Sequence, residues 1–270
     1  MRISSSRHDA PIGVFDSGLG GLTIVRELRA RLPRESILYF GDIARLPYGT
    51  KSPEQIRRFS EENTRYLVSN GIKALVIACN SSSSAAYQYL RRNFNLPIID
   101  AISPAVEAAL QATRTGRIGV IGTYATIESG VYAKMLTRKK TRLRITSVPC
   151  PLFVPIVEEG MMKTPVAREL IELYLQPLKQ KRVDTLILGC THYPLLSQQI
   201  AGFMGTRVKL VDSAAPCVTK LAQILKERGI SRESSTKGRL QIVVSDLPRN
   251  FIKTGEDFLK EKLRSVKIVR

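Results

Sequence analysis

The sequence has few of the residues and patterns that metal and nucleotide sites need. It contains two histidines and four cysteines, and the cysteines lie far apart with no C-x-x-C pair. This spacing argues against a zinc site and against a disulfide framework. No G-x-x-x-x-G-K-[ST] phosphate loop occurs, and the glycine-rich stretch GLGG at 18–21 lacks the G-x-G-x-x-G spacing of dinucleotide-binding turns.

Long apolar runs are also absent. No run approaches the roughly 18 apolar residues of a membrane span, and the first residues contain no apolar segment of secretory length. We therefore expect a cytoplasmic protein with free thiols and no membrane partner.

Acidic residues are scarce relative to basic ones. The chain has 42 Lys and Arg against 23 Asp and Glu, a net charge of +19 that would attract small anions or nucleic acid. The charges are dense only at 137–144 and 178–182, and neither segment is interleaved with the aromatic residues of a strand-binding groove. The pattern favours a solvated basic surface over a nucleic-acid site.

Short β-branched runs alternate with segments of helical periodicity, which is typical of an α/β fold with mostly parallel strands. A helix is predicted from Pro53 to Asn70, capped by Ser52 and followed by Gly71. The predicted strands are Ile12 to Phe15, Ile37 to Phe40, Ala74 to Ala78, Pro97 to Ile99, Arg117 to Ile121, Arg144 to Val148, Thr185 to Leu188, Val208 to Val211 and Leu240 to Val244.

Pairs of similar segments recur in the same order, which indicates an internal duplication. The pairs are IGVFDS at 12–17 with IGVIGT at 118–123, ALVIACNS at 74–81 with TLILGCTH at 185–192, and IIDAISPAV at 98–106 with LVDSAAPCV at 210–218. We therefore expect two similar, pseudo-symmetric α/β domains whose open parallel sheets face a shared cleft. The first would comprise residues 1–100 plus 212–270 and carry Cys79, and the second residues 101–211 and carry Cys190.

The duplication places Cys79 and Cys190 at matching positions just after a strand. Open α/β sheets bind ligands at the carboxyl ends of their strands, so each half would deliver one thiol to the cleft. Backbone N–H groups and the helix dipole at such turns favour the thiolate. A lone cysteine there is commonly a buried apolar residue, but a matched pair suits removal of a proton from one face of a carbon acid and protonation of the other. Cys150 and Cys217, each beside a proline, are expected to be structural.

Four stretches resemble the glutamate racemases, cofactor-independent members of the aspartate/glutamate racemase superfamily. They are GVFDSGLGGLT from Gly13, YFGDIARLPYG from Tyr39, ACNSSSSA from Ala78 and GCTHYPLL from Gly189, in family order. The resemblance implies interconversion of L- and D-glutamate without cofactor or metal, with Cys190 deprotonating L-glutamate and Cys79 D-glutamate. It also implies a bacterial enzyme whose product enters peptidoglycan biosynthesis, and so cell wall biogenesis and cell shape.

The resemblance assigns further site residues. Catalytic roles are implied for Asp16, His192 and Glu158, and substrate contacts for Asp16, Ser17, Pro47, Tyr48, Gly49, Asn80, Ser81, Thr123, Thr191 and His192. Asp16 could take a proton from Cys79 or hold the substrate ammonium, and His192 could relay a proton for Cys190. The alternatives are a turn-capping Asp16, a His192 satisfied by backbone at a helix start, and an ordinary surface turn at Tyr48 and Gly49.

One departure from the family lies beside Cys79. Relatives commonly read C-N-T-A-S, whereas this chain has Ser81 and Ser82 at the third and fourth positions. Ser81 keeps the hydroxyl and lacks a methyl group, so substrate affinity is the property most exposed to this change. Ser82 is acceptable at a helix start.

Other functions remain alternatives at this point. An aspartate or other amino-acid racemase of the same superfamily is one, although aspartate racemases typically carry Glu at the position of His192. A Cys-His hydrolase using Cys190 and His192 is another, but it leaves Cys79 and the duplication without a role. The net charge, with reports of gyrase inhibition in the family, leaves DNA gyrase or nucleic acid as a partner beside the small-molecule substrate, and a homodimer also stays open.

Overall fold

The computed structural model describes residues 8–249, 251–263 and 265–269. Within these ranges the strands form two parallel sheets of six and four strands. In chain order, the strands of the first sheet are β1 Ile12–Asp16, β2 Ile37–Gly41, β3 Ala74–Ile77, β4 Ile98–Asp100, β9 Leu240–Val244 and β10 Val266–Ile268. Those of the second are β5 Arg117–Gly122, β6 Arg144–Pro149, β7 Thr185–Gly189 and β8 Lys209–Val211.

Helices occupy the connections between strands. In chain order they are α1 Leu22–Arg31, α2 Pro53–Ser69, α3 Asn80–Asn93, α4 Ile102–Ala112, α5 Tyr124–Glu128, α6 Val131–Lys139, α7 Phe153–Glu158, α8 Pro165–Gln180, α9 Ser197–Met204, α10 Ala214–Glu227 and α11 Phe251–Leu259. Short 3₁₀ helices cover Ile43–Arg45, Tyr48–Thr50 and Tyr193–Leu196. Helix α2 begins where predicted, with the Ser52 side chain accepting a hydrogen bond from the Gln55 N–H. In the ranges described, no helix has the length and apolarity to cross a membrane.

The α/β fold class and each predicted strand are confirmed, with strand ends within one residue of the expected positions. The three-residue strand β10 is not predicted by the sequence, because its segment is short and carries a lysine between two apolar residues. The pattern is weak there since a partly exposed edge strand buries few side chains.

The pairing of the strands bears out the duplication. The spatial order β2-β1-β3-β4 in the first sheet has the same parallel arrangement as β6-β5-β7-β8 in the second. The registers also correspond, since Ile12 lies opposite Ala74 while Ile118 lies opposite Thr185. The segments that match in sequence therefore occupy matching places in the two sheets.

The hydrophobic core brings the two halves together. Strands β1, β2, β3 and β7 are buried along their whole length, as parallel sheets covered on both faces require. One apolar cluster continues from Val14 and Val76 in the first sheet to Ile121 and Leu188 in the second. The polar residues that follow these strands are consequently held between the halves.

Candidate active site

The first cysteine turn follows β3. Cys79 caps helix α3, and its sulfur accepts a hydrogen bond from the Ser82 N–H at 3.5 Å, while the thiol lies 3.6 Å from Ser17 Oγ. Burial, followed by the charge of Asp16, raises the pKa of Cys79 to about 11. Burial therefore opposes the thiolate that the helix start favours at Cys79, and it outweighs the helix N–H that faces the sulfur.

Asp16 ends β1 and is fully buried beside this turn. Its Oδ2 accepts a hydrogen bond from the Gly18 N–H at 3.1 Å, so the expected turn-capping contact is present. Its Oδ1 is buried and has no hydrogen-bond partner in the part of the chain that is described. Burial raises the pKa of Asp16 against the opposing charge of His192. The carboxyl group thus combines a structural contact with a free oxygen.

The second cysteine turn follows β7. Cys190 Sγ lies 3.8 Å from His192 Nδ1, and His192 Nε2 lies 3.0 Å from Glu158 Oε1. Burial disfavours the charged imidazole, but the hydrogen bonds and charges of Cys190 and Glu158 raise the pKa of His192 to about 10. The three side chains therefore form a chain of contacts that runs from the Cys190 sulfur through the imidazole to the Glu158 carboxyl group.

The backbone after Cys190 differs from that after Cys79. A 3₁₀ helix, Tyr193–Leu196, follows Cys190, whereas an α-helix begins directly after Cys79. His192 precedes this helix and makes no side-chain cap, so the alternative of a histidine satisfied by backbone is wrong. Its ring instead packs edge-on against Phe258, with the ring centroids 5.2 Å apart.

The glycine-rich turn after β1 contacts the second cysteine turn. A Cβ added to Gly20 would lie 2.6 Å from His192 Nδ1 and closer still to Thr191 Oγ1. Real Cβ atoms do not approach other atoms so closely, so glycine is required where the two halves meet. The glycine-rich motif thus lets the backbone of the first half lie directly against the Thr191 and His192 side chains of the second half.

Further contacts join the start of α3 to the second half. Tyr132 donates a 2.7 Å hydrogen bond to Asn80 Oδ1. Ser81 Oγ lies 3.0 Å from Thr123 Oγ1 and 3.4 Å from Thr126 Oγ1. The Asn80 Nδ2 group is buried without a partner in the ranges that the structure describes. The start of α3 is therefore hydrogen-bonded to side chains of the second half.

The expected RLPYG segment approaches the same region. A Cβ added to Gly49 would lie 2.6 Å from Thr123 Cβ. Tyr48 follows the cis Leu46–Pro47 peptide and is buried, and its hydroxyl donates to Asp42 and accepts from Asn63 Nδ2 at 3.2 Å. The surface-turn alternative is therefore wrong for Tyr48 and Gly49, both of which are buried. Substrate contact by Pro47, Tyr48 or Gly49 stays a prediction.

The remaining cysteines lie in the core. Cys150 and Cys217 are fully buried, and burial raises the pKa of both thiols. Tyr193 donates to the Cys150 carbonyl at 2.8 Å. Among the described residues, no group of three or more His, Cys, Asp or Glu side chains is arranged to hold a metal ion.

Sequence reasoning missed Tyr132 and Thr126. Both are buried and bond across the halves to Asn80 and Ser81. Thr126 could have been found from its place three residues after Thr123, because Thr123 caps α5 and both hydroxyls point to one helix start. Nothing in the sequence around Tyr132 signals its partner, which lies 52 residues away.

Comparison with known proteins gives consistent results. The family model described as Asp/Glu/Hydantoin racemase matches residues 22–221. The chain is 46% identical over 255 residues to a glutamate racemase of Geobacter metallireducens, and the alignment covers 94% of each chain.

Solved structures agree over almost the full length. A glutamate racemase from Francisella tularensis in complex with D-glutamate matches with a TM-score of 0.91 and 38% identity, covering 97% of this chain and 98% of that one. The glutamate racemase isoform RacE1 from Bacillus anthracis matches with a TM-score of 0.93 and 37% identity, covering 97% of each chain.

Proposed function

The chain belongs to the Asp/Glu/Hydantoin racemase family, and on that premise we propose that it interconverts L- and D-glutamate using Cys79 and Cys190 as the two proton-transfer groups. It is an amino-acid racemase by family, and the relatives that it matches are named glutamate racemases. The roles of individual residues are argued from the geometry of the two cysteine turns.

The observation that supports this proposal most is the pairing of unlike proton environments at matching turns. Cys79 is held as a neutral thiol by burial and by Asp16. Cys190 is next to an imidazole whose pKa is raised to about 10 by Cys190 and Glu158. One turn therefore offers a proton while the other can accept one, as proton transfer through a planar carbanion needs.

For L-glutamate, the Cys190 thiolate takes the proton from Cα, and the electron pair of the broken C–H bond remains on the substrate as a carbanion. The Cys79 thiol then gives its proton to the opposite face of Cα, which yields D-glutamate. The site ends with a neutral Cys190 and a Cys79 thiolate, and this form is ready to convert D-glutamate back. Asp16 and His192 are the adjacent groups that can carry protons while the starting form is restored.

The carbanion must be stabilised by hydrogen-bond donors, because a Cα proton is very weakly acidic. Asn80 Nδ2 is a buried donor without a partner in the described chain, and the hydroxyls of Ser81, Thr123 and Thr191 lie around the same turns. Donors fixed in an enclosed site are most effective where negative charge develops, at the substrate α-carboxylate. Asp16 Oδ1 is an acceptor of the kind that the substrate ammonium requires.

We extend the proposal to organisation and cellular role. The first domain would comprise residues 1–100 plus 212–270 and the second residues 101–211, supported by the membership of the two sheets. A cytoplasmic location is supported by the free state of the cysteines, which a reducing compartment maintains. The D-glutamate product would supply peptidoglycan synthesis, as in the family that the chain resembles.

The alternatives carry less support. The Cys190, His192 and Glu158 chain has the order of a hydrolase triad. Family membership favours the racemase, and only the racemase gives Cys79 and Asp16 a role. Aspartate as substrate is disfavoured by relatives named glutamate racemases.

The decisive experiment incubates each enantiomer of glutamate and of aspartate with the purified protein in deuterated water. We expect loss of optical rotation and incorporation of Cα deuterium with both glutamate enantiomers and not with aspartate. The variant Cys150→Ala, which removes a buried thiol outside the paired turns, serves as a matched control and should remain active. Absence of both signals with glutamate would refute the proposal. Faster turnover of aspartate than of glutamate would show that aspartate is the preferred substrate.

A further inference from the structure

Tyr132 lies at the contact between the two cysteine turns. It comes from α6, is only 2% exposed, and belongs to the apolar cluster of the second half with Ile118 and Ile187. Its hydroxyl nevertheless reaches the first half, where it donates a 2.7 Å hydrogen bond to Asn80 Oδ1. Asn80 is the residue directly after Cys79.

The ring of Tyr132 also rests against strand β7. A Cβ added to Gly189 would lie 3.1 Å from Tyr132 Cε2, so the glycine leaves room for the ring. Gly189 is the residue directly before Cys190. Tyr132 therefore contacts the neighbour of each thiol, and the packing of its ring fixes where its hydroxyl can reach.

The hydrogen bond also determines which end of the Asn80 amide is free. An asparagine amide presents an acceptor oxygen and a donor nitrogen. Tyr132 occupies Oδ1, and Nδ2 is buried without a partner in the described ranges. A buried donor without an acceptor is unfavourable, which indicates that a ligand completes it. Burial raises the pKa of Tyr132, so its hydroxyl keeps the proton that it donates.

We propose that Tyr132 is a positioning residue that holds Asn80 with Nδ2 toward the substrate α-carboxylate and keeps the two cysteine turns in register. The inference rests on the proposed glutamate racemisation. If the amide were free to turn over, Oδ1 would face the carboxylate and repel it. The orientation matters most as negative charge grows on the carboxylate, so its loss lowers kcat more than it raises KM.

The test compares Tyr132→Phe, Asn80→Ala and the double variant in the full-length protein. Tyr89→Phe is the matched control, since it removes a phenol that donates to Glu61 on the surface of α2 and α3. We measure kcat and KM for both enantiomers of glutamate and the thermal unfolding midpoint of each variant.

We expect Tyr132→Phe to lower kcat/KM about 10-fold, chiefly through kcat, and Asn80→Ala to lower it about 100-fold. The double variant should equal Asn80→Ala, because Tyr132 acts through Asn80. Tyr89→Phe should stay within about twofold of the parent, as a surface change does. The proposal would be overturned if the loss of kcat/KM in the double variant equalled the product of the two single losses, or if Tyr132→Phe kept the kcat of the parent.

If Tyr132→Phe fails to fold, Asn80→Asp supplies the second test. It keeps an acceptor for Tyr132 and replaces the free donor by oxygen, so activity should fall as in Asn80→Ala at temperatures below the unfolding midpoint of the variant. Full activity in Asn80→Asp would contradict the role given to Nδ2.

A readout independent of activity separates this inference from the proposed function. The side-chain amide NMR signals of Asn80, identified by their loss in Asn80→Ala, should shift in Tyr132→Phe and stay in place in Tyr89→Phe. If the parent protein fails to racemise glutamate but the Asn80 signals shift in Tyr132→Phe, the proposed function is refuted while the contact between Tyr132 and Asn80 stands. Unchanged Asn80 signals in Tyr132→Phe would refute the positioning role, whatever the activity.

Discussion

The turns around Cys79 and Cys190 occupy matching places in two similar sheets, yet their surroundings differ. Cys79 begins an α-helix, contacts Ser17 and lies near the buried Asp16. Cys190 precedes a 3₁₀ helix and faces an imidazole that is itself bonded to Glu158. The comparison shows that the duplication supplies two thiols at matching positions, while divergence of their neighbours gives each thiol different groups with which it can exchange a proton.

The two thiols are similarly buried but have different ionisable neighbours. Both thiols are less than a tenth exposed. At Cys79, burial and then the charge of Asp16 raise the pKa of the thiol to about 11. At Cys190 the neighbour is an imidazole, whose pKa is raised to about 10 despite its burial by the hydrogen bonds and charges of Cys190 and Glu158. Neighbouring charge, rather than exposure, separates the two sites.

Replacing either thiol by alanine should cause the largest loss of racemisation. Cys79→Ala and Cys190→Ala should each lose at least about 1000-fold in racemisation, since a proton-transfer group is removed. Because enantiomers have equal free energy in water, kcat/KM must change equally in both directions, and Cα exchange in deuterated water is the informative measurement. Cys79→Ala should exchange the Cα proton of L-glutamate only, and Cys190→Ala that of D-glutamate only.

The controls for this experiment are Cys150→Ala and Cys217→Ala, which remove buried thiols outside the paired turns. Both should keep parental racemisation at temperatures below their unfolding midpoints. Exchange of both enantiomers by a single-cysteine variant would contradict the division of faces between the two thiols.

Removing the imidazole should affect the Cys190 side more than the Cys79 side. We expect His192→Asn to lower kcat about 100-fold, because the thiolate loses its protonated partner. Alkylation of Cys190 at pH 7, followed by mass spectrometry, should slow in this variant, and alkylation of Cys79 should change less. Glu158→Gln, which can keep a hydrogen bond to the ring, should cost about 10-fold or less in kcat. An equal change at Cys79 would show that the two sides do not act separately.

Enlarging Gly20 should disturb the contact between the sides. Gly20→Ala would place a Cβ against Thr191 and His192, and such overpacking typically costs about 1–3 kcal/mol of folding free energy. Racemisation should fall about 10-fold as the turns separate, a loss typical of small misplacement in a site. Gly202→Ala in helix α9 meets no atom within 4 Å and should stabilise the protein by about 0.5–1 kcal/mol. Denaturant unfolding measures the free energy of unfolding of both variants, and equal changes in Gly20→Ala and Gly202→Ala would contradict the close approach at Gly20.

The smallest expected effect is that of Asp16 on how the folding stability depends on pH. Its pKa is raised above the ordinary value of 3.8. In the pH window above 3.8, the folded state therefore binds more protons than the unfolded state, and the free energy of unfolding falls as the pH rises through this window. Asp16→Asn does not titrate and should be more stable than the parent at pH 7, by about 1 kcal/mol. The advantage should shrink toward pH 4, and a variant less stable at pH 7 would contradict the sign of the shift.

Much of the fold could be predicted because its signals are local and repeated. Apolar runs of strand length mark β1, β3, β5 and β7, and the matched segments show that the two sets correspond. The cysteine pair could be singled out because both residues follow such strands at matching repeat positions, whereas the roles of Asp16 and His192 rested on the resemblance. Strand β10 could not, since its three residues bury too little to leave a pattern.

The protonation of the thiols could not be read from the same pattern. Sequence reasoning expects a thiolate at both turns, from the helix start that follows a strand. Burial reverses this at Cys79, and burial depends on how the two halves close over the turn. The role of Glu158 rested on resemblance, because 34 residues separate it from His192.

The sequence by itself determined the α/β architecture, the duplication, the cysteine pair and the glycine-rich turn, because each depends on residues near one another in the chain or on a repeated pattern. Only the tertiary structure decided that Gly20 touches the second cysteine turn, that Tyr132 is hydrogen-bonded to Asn80, and that burial raises the pKa of Cys79 while Cys190 lies beside an imidazole. Hydrogen bonds and electrostatic interactions act through space, so they are fixed only once packing has brought distant segments within a few ångströms and excluded water between them.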